Sequence, residues 1–208
     1  MIDVSKQLNA VRRGLGTRVL EPGTAWVQTI SQVYDSSLDD VWDACTNADR
    51  IPRWFLPISG DLEVGGRYQV EGNAGGTVQS CDPPRSFAAT WEYGGEVSWI
   101  EVRLTEEAGG VRFELEHTAH VDDVRWAEFG PGATGIGWDL TLVGLAEHLS
   151  GAPGLVPEAS AEWTASDEGK EFMTLSSELW GAASVAAGTD ERAARAAADR
   201  CAAAYTAS

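Results

Sequence analysis

Between residues 65 and 120 the chain alternates short β-prone runs with glycine or proline pairs, and this pattern constrains the fold most strongly. The runs RYQVEG, TVQS, SFAATWEY, VSWIEVRL and VRFELEHTAH each follow one of the pairs Gly65-Gly66, Gly75-Gly76, Pro83-Pro84, Gly94-Gly95 and Gly109-Gly110. β-prone runs at nearly even spacing, separated by turn-forming residues, predict an antiparallel meander.

The residue alternation within these runs predicts a sheet with one apolar face. Successive side chains of a strand point to opposite faces, so Ile100 and Val102 lie opposite Glu101 and Arg103. The same parity places His117 on the inner face. A sheet of this kind must bury its apolar face against another element.

Helical patterns flank the meander. Ala25 to Tyr34 is predicted as a strand, and Ser36 and Ser37 are candidate N-caps for a helix that carries Leu38, Val41, Trp42 and Cys45 at helical spacing. A short helical turn is predicted over residues 49–54. After Pro131-Gly132, a helix with Trp138, Thr141, Leu142, Leu145 and Leu149 on one stripe is predicted to cover the sheet, with Asp139 facing outward or capping locally.

Three segments are predicted: an N-terminal arm over residues 1–24, a central domain over residues 25–151, and a helical extension over residues 152–208. We expect the arm to pack partly on the domain. The extension is predicted to contain a helix from Ser166 to Ala187 and a second helix capped by Thr189. These two helices could pack as a hairpin on the domain or form a homodimer with a second copy.

The formal net charge of -17 disfavours binding to nucleic acid or to anionic membranes, because both need clustered Lys and Arg. Cys45, Cys81 and Cys201 are scattered, which favours a reducing compartment over a disulfide framework. No apolar run is long enough to span a bilayer. We therefore expect a cytoplasmic protein that binds neither nucleic acid nor membrane.

The order of strand, helix, short helix, meander and long helix is that of an α+β helix-grip fold. The chain resembles the activator-of-heat-shock-protein-ATPase-like branch of the SRPBCC (START/Bet v 1-like) superfamily. The resemblance rests on VYDSSLDDVWDACTN, IPRWFLPISGDLEVGGRYQVEGNAGGTVQSCDPP, ATWEYG, SWIEVRLT, RFELEHTAH and GIGWDLTLVGLAEHL, which lie between Ala25 and Ser150. The stretch EGKEFMTLSSELWGAA resembles an extension found in a bacterial subset of these proteins.

The resemblance implies a curved sheet around a long helix, with a cavity between them that binds a small hydrophobic molecule. Some members of the superfamily are enzymes. The eukaryotic namesake is a co-chaperone with a separate N-terminal chaperone-binding domain, and residues 1–24 are too few to form that domain.

Candidate cavity residues are the inward aromatic and aliphatic side chains together with a few polar groups. They are Trp54, Phe55, Tyr68, Val70, Phe87, Trp91, Tyr93, Ile100, Val102, Phe113, Leu115, His117, Trp138, Thr141, Leu142 and Leu145. Pockets are mostly apolar with a few placed polar groups, which here would be His117, Tyr93 and Thr141. His117 could anchor a ligand or act as acid or base, and it could equally be a hydrogen-bonded core residue.

The sequence offers little for metal or covalent chemistry. His117 and His120 fall on opposite faces of a strand, so both cannot ligate one ion, and zinc sites need three or four converging ligands. No G-x-S-x-G motif or phosphate-binding loop is present, and no cofactor is expected. Three hypotheses remain: a small-molecule binding protein, a chaperone-associated or protein-interaction module, and an enzyme that uses His117.

Overall fold

The computed structural model describes residues 3–21, 23–121, 123–151 and 161–207. The strands are β1 (Arg12–Leu20), β2 (Gly23–Tyr34), β3 (Ile58–Gly60), β4 (Arg67–Val70), β5 (Gly75–Asp82), β6 (Ser86–Tyr93), β7 (Glu96–Glu107) and β8 (Gly110–Ala119). The α-helices are α1 (Val4–Ala10), α2 (Leu38–Thr46), α3 (Asp123–Phe129), α4 (Gly132–Leu149), α5 (Ala161–Ala165), α6 (Asp167–Ala186) and α7 (Glu191–Thr206), and a 3-10 helix covers Ile51–Arg53.

All eight strands form one antiparallel sheet in the order β1-β2-β8-β7-β6-β5-β4-β3. Strands β4 to β8 are consecutive neighbours, which confirms the predicted meander. β2 crosses over to pair with β8, so that Trp26 lies opposite Ala119 and Tyr34 lies opposite Val111. The sheet curves around α4, and the predicted α+β helix-grip class is confirmed.

The main core lies between the concave face of the sheet and helices α2 and α4. Burial alternates along β8, where Val111, Phe113, Leu115 and His117 are buried while the residues between them are less so. Ser37 caps α2 through a hydrogen bond from the Asp40 backbone N–H, as one of the two predicted N-caps.

Helix α4 carries apolar residues on two opposite sides, because the sheet covers one side and other helices cover the other. Leu142 and Leu145 face the sheet and are fully buried. Ile136 and Leu140 belong to a second core, shared with Phe172 and other residues of α1, α5, α6 and α7. The C-terminal helices therefore pack against the back of α4 within the same chain.

The prediction for Asp139 was wrong. Its side chain does not face outward; it is 1% exposed and lies between α4, β1 and α6. Arg13 donates to it from Nε at 3.0 Å and from Nη2 at 2.5 Å, and Ser176 and Trp180 donate at 2.6 and 3.0 Å. The sequence pattern missed this because the compensating cation comes from a strand 126 residues away.

The described residues toward both ends of the chain form helices and strands of this fold. Residues 1–24, expected to be an arm, include α1 and the edge strand β1, which pairs with β2 along its whole length. The helix predicted from Ser166 to Ala187 is α6, in which Ser166 is the N-cap and accepts a hydrogen bond from the Gly169 backbone N–H. The predicted cap of α7 was off by one residue, because Asp190 accepts from the Ala193 backbone N–H while Thr189 accepts a hydrogen bond from Ser184.

Candidate functional site

An apolar cavity of about 160 Å³ lies between the concave face of the sheet and α4. We call it the inner chamber. Its walls come from β4 to β8, from residues 45–62 and from Trp138 and Thr141 of α4. Most wall atoms are carbon, and the thiol of Cys45 adds no charge because burial raises its pKa to about 12.

A second cavity of about 400 Å³ adjoins the first at the N-terminal half of α4. We call it the outer chamber. It lies between the start of β2 and β7, the ends of β6 and β8, and helices α3 and α4. Phe55, Trp91 and Trp138 line both chambers, so these three rings form the boundary between them.

His117 sits at this boundary with both ring nitrogens engaged. The indole N–H of Trp138 donates to Nδ1 at 3.2 Å, and Nε2 lies 2.9 Å from Oγ of Ser98. Because an indole N–H can only donate, Nδ1 is the unprotonated nitrogen and Nε2 carries the hydrogen. The Ser98 hydroxyl accepts that hydrogen and donates its own to the Trp91 carbonyl at 2.9 Å.

This arrangement holds His117 neutral. The side chain is buried, and burial lowers the pKa of His117 to about 4 because a charged imidazolium would lose its hydration. A neutral imidazole whose lone pair is already occupied by Trp138 has no free site that could accept a proton near neutral pH.

The Ser98–His117 pair resembles a nucleophile and its base in distance alone. In a catalytic pair the serine donates its proton to histidine, and an acid on the far side of the ring stabilises the charge that forms. Here the Ser98 proton goes to the Trp91 carbonyl, and the far side of the ring meets a donor, Trp138. The hydrogen bonds on both sides of the His117 ring therefore run in the opposite direction to those of a catalytic triad.

Two further polar side chains of the outer chamber are engaged within the protein, and a third is not. Gln28 donates to the Pro131 carbonyl at 2.7 Å and accepts from the Thr134 hydroxyl. The Tyr205 hydroxyl, which α7 carries to the chamber, donates to the Ala133 carbonyl at 2.9 Å. Nε2 of His120 is buried without a hydrogen-bond partner among the described residues.

Aromatic rings make up much of the outer chamber's surface. Trp26 and Trp126 stack with centroids 3.9 Å apart and planes 8° apart. Trp91 and Trp138 meet at 5.1 Å with an interplanar angle of 53°. Aromatic contacts of this kind stabilise through ring geometry as well as through buried area.

Helix α3 covers one side of the outer chamber with few attachments. None of the described residues Asp123–Phe129 is buried. The helix is held by the Trp126 stack, by an Arg125–Glu96 ion pair at 3.0 Å, and by Arg200 of α7, which donates to the carbonyls of Ala127 and Glu128. Such a weakly buried segment is of the type that opens locally at low free-energy cost.

The structure distributes the predicted cavity residues over the two chambers. The inner chamber is lined by Trp54, Phe55, Tyr68, Val70, Phe87, Trp91, Ile100, Val102, Phe113, Leu115, Trp138 and Thr141. Tyr93 and His117 line the outer chamber, where Tyr93 is 63% exposed. Leu142 and Leu145 line neither chamber and are packed in the core.

Sequence reasoning missed much of the outer chamber, including Trp26, Gln28, Ser98, Trp126, Thr134 and Tyr205. Trp26 and Gln28 share the parity of Ile30 and Tyr34 in β2, which are buried, so alternation could have identified them. No sequence pattern identifies Trp126 as a chamber residue, because α3 has no apolar stripe and the position of this helix depends on the stack of Trp126 on Trp26.

Both histidines line the outer chamber, since β8 ends at Ala119 and His120 lies beyond the strand, but their rings have different neighbours. His117 packs on Trp138, with centroids 5.6 Å apart, whereas His120 packs edge-on against Trp99 at 6.2 Å. Among the residues that the structure describes, no group of three or more His, Cys, Asp or Glu side chains could hold a metal ion. Within the same residues, no helix has the length and apolar character needed to cross a membrane.

Residues 35–150 match the family described as activator of Hsp90 ATPase homolog 1-like protein. This region contains α2, the meander and α4, which form both faces of the inner chamber. The chain belongs to this family. A comparison with curated protein sequences finds no match.

Solved structures of similar proteins share the architecture of this family member. The solution NMR structure of CalU16 from Micromonospora echinospora is 37% identical, covers 86% of this chain and 97% of CalU16, and gives a TM-score of 0.72. The CalU16 crystal structure is 34% identical, with 84% and 98% covered and a TM-score of 0.66. PFC0360w, an HSP90 activator from Plasmodium falciparum, is 18% identical, with 62% and 99% covered and a TM-score of 0.52, and it shows the fold alone.

Membership in this family and the likeness to CalU16 support a ligand-binding or chaperone-associated module.

Proposed function

We propose that the chain binds a small hydrophobic molecule that extends from the inner chamber into the outer chamber. The observation that carries this proposal is an apolar cavity of about 160 Å³ that adjoins a larger cavity of about 400 Å³. An apolar cavity of roughly 150 Å³ in another protein stays dry and binds benzene, so the inner chamber suits one ring or a short branched group. Ligand pockets usually span about 300–1,000 Å³, a range that the outer chamber reaches by itself, and the two chambers together provide room for a larger molecule.

The state of His117 supports binding rather than catalysis. An acid or base that works near neutral pH needs a matching pKa and a free position facing the substrate. Burial lowers the pKa of His117 to about 4, and Trp138 and Ser98 occupy its two nitrogens. On this proposal, His117 fixes Trp138 and Ser98 at the chamber boundary and does not itself transfer protons.

The first test is native mass spectrometry of the protein purified from its own host, under gentle and denaturing conditions. A small molecule that is released only on denaturation supports the proposal, and its mass identifies its chemical class. A bare polypeptide mass, together with no thermal shift across a panel of hydrophobic metabolites, contradicts it.

Thr141→Trp tests which cavity is used. Thr141 lines the inner chamber, and its hydroxyl donates only to the Gly137 carbonyl of its own helix, so an indole here should fill the chamber and abolish binding. Thr174→Trp is a matched control, because Thr174 makes the same intrahelical bond to Lys170 on α6, away from both chambers. Unchanged affinity in folded Thr141→Trp would rule out the inner chamber.

The family description favours a second candidate, a chaperone-associated module. This candidate predicts that the purified protein stimulates ATP hydrolysis by the Hsp90-type chaperone of its own host. Stimulation that survives Thr141→Trp would show that the activity does not depend on the inner chamber. An absence of stimulation at saturating protein contradicts this second candidate.

A further inference from the structure

Four tryptophans, Trp26, Trp91, Trp126 and Trp138, come from four different elements to line the outer chamber. Trp26 belongs to β2, Trp91 to β6, Trp126 to α3 and Trp138 to α4. Side chains that are far apart along the chain therefore converge on one cavity. Large flat rings present π faces and edges, and they interact best with other rings in offset or tilted geometry.

The polar side chains deep in the same walls have little left to offer a ligand. The side chains of His117, Ser98 and Gln28 are hydrogen-bonded to groups within the protein. A ligand in this chamber therefore gains little from hydrogen bonds with these three groups. Nε2 of His120, which has no hydrogen-bond partner among the described residues, can bond a single ligand group, and the rest of the recognition falls to shape and ring contacts.

Charge disfavours anionic ligands, and the carboxylate at the chamber rim is already paired. The chain carries a formal net charge of -17, which repels anions. The carboxylate that lines the chamber at its rim, Glu96, already pairs with Arg125 through both of its oxygens at 3.0 Å, so it is less available to a ligand cation.

We propose that the outer chamber selects flat, uncharged, fused aromatic ligands by ring stacking on its tryptophans. This inference rests on the proposed function and names its ligand class. The inner chamber has room for about one ring, and the outer chamber is roughly two and a half times as large, so a three-ring compound fits the pair.

Stacking sets the size of the expected selectivity. An aromatic pair contributes about 0.5–1.5 kcal/mol beyond its buried area, which corresponds to about two- to twelve-fold in affinity for each ring contact. A flat ligand that contacts two of the four tryptophans should therefore bind at least about fivefold more tightly than a puckered molecule with the same carbon skeleton.

The test compares 9-phenanthrol with its fully saturated analogue, perhydro-9-phenanthrol, by isothermal titration calorimetry at equal ionic strength. The two probes share their skeleton and hydroxyl group and differ in planarity and π electrons. We expect the aromatic probe to bind at least about fivefold more tightly to the unaltered protein. A cationic probe, phenyltrimethylammonium, should bind more weakly than 9-phenanthrol.

Variants of Trp126 locate the effect. Trp126 is partly exposed on α3, and the Arg125–Glu96 ion pair and the Arg200 hydrogen bonds still hold this helix when the Trp26 stack is lost, so its replacement should leave the rest of the fold intact. Trp126→Leu should reduce the aromatic-to-saturated affinity ratio at least twofold, whereas Trp126→Phe, which keeps a ring, should retain most of it. Trp99→Leu is the control, because Trp99 does not line either chamber.

Equal or tighter binding of the saturated probe overturns the inference while leaving the proposed function standing, since a hydrophobic molecule still binds. Tighter binding of the cation also overturns it. An affinity ratio that is the same in Trp126→Leu and the unaltered protein refutes stacking on Trp126. If neither probe binds and no compound of the hydrophobic panel shifts the melting temperature, the proposed function fails together with the inference.

Discussion

Replacement of His117 by glutamine should remove a defined part of the protein's pH-dependent stability. The imidazole is 5% exposed and neutral, with a pKa of about 4 in the folded chain. In the unfolded chain a histidine has a pKa of about 6.5, and each pKa unit corresponds to about 1.4 kcal/mol. His117 therefore accounts for up to about 3 kcal/mol of pH-dependent stability.

The sign follows from where the proton binds. Between pH 6.5 and 4 the unfolded chain binds a proton at this position and the folded chain does not, so acid favours unfolding. The contribution of His117 is fully present above pH 6.5 and is lost as the pH falls toward 4. The stability of the glutamine variant should therefore fall less steeply over this range. At pH 7 the variant should be less stable for a different reason, since it loses the imidazole's contacts with Trp138 and Ser98.

Urea unfolding between pH 4 and 7.5, followed by tryptophan fluorescence, measures the slope. His148→Gln is the control: burial and the nearby Arg50 lower the pKa of His148 too, but this side chain is less buried and should affect the slope less. NMR of the imidazole nitrogens provides a direct check, because it identifies the protonated nitrogen. If His117 titrates near pH 6.5 in the folded protein, or if its hydrogen is on Nδ1 in place of Nε2, the reasoning is refuted.

Asp139→Asn should lower the free energy of unfolding by about 3–5 kcal/mol, because it leaves the buried Arg13 guanidinium without a counter-charge. The double replacement of Arg13→Met with Asp139→Leu should recover much of this loss in chemical denaturation, and a double variant as unstable as Asp139→Asn would argue against a charge effect. Gly135→Ala should cost about 1–3 kcal/mol, since an added Cβ overlaps the Trp180 ring, and an unchanged melting temperature would contradict this packing. Arg200→Ala should speed hydrogen exchange in α3 with little change in global stability, because it removes two donors to α3 carbonyls. Iodoacetamide at pH 8 should label the exposed Cys81 before Cys45, because Cys45 is buried and its pKa is about 12. Mass spectrometry measures the order of labelling, and the reverse order would contradict the assigned burial.

The parts of this protein that follow from short-range patterns were predictable. Alternation in β7 and β8 identified the inward face, and the glycine and proline pairs fell at turns of the meander except Gly75-Gly76, which lies within β5. Ser37 marked the start of α2 because an N-cap needs only a hydroxyl and a backbone N–H a few residues away.

The tertiary structure alone decided which segments meet. Asp139 looked like a surface residue because spacing within α4 does not reveal that Arg13, Ser176 and Trp180 surround it. The outer chamber was hidden for the same reason: Trp26 and Trp126 are a hundred residues apart in the chain yet stack at 3.9 Å. The periodicity of a sequence shows which residues of one helix or strand share a face. A cavity is the space that remains between several packed elements, so it depends on how those elements pack together.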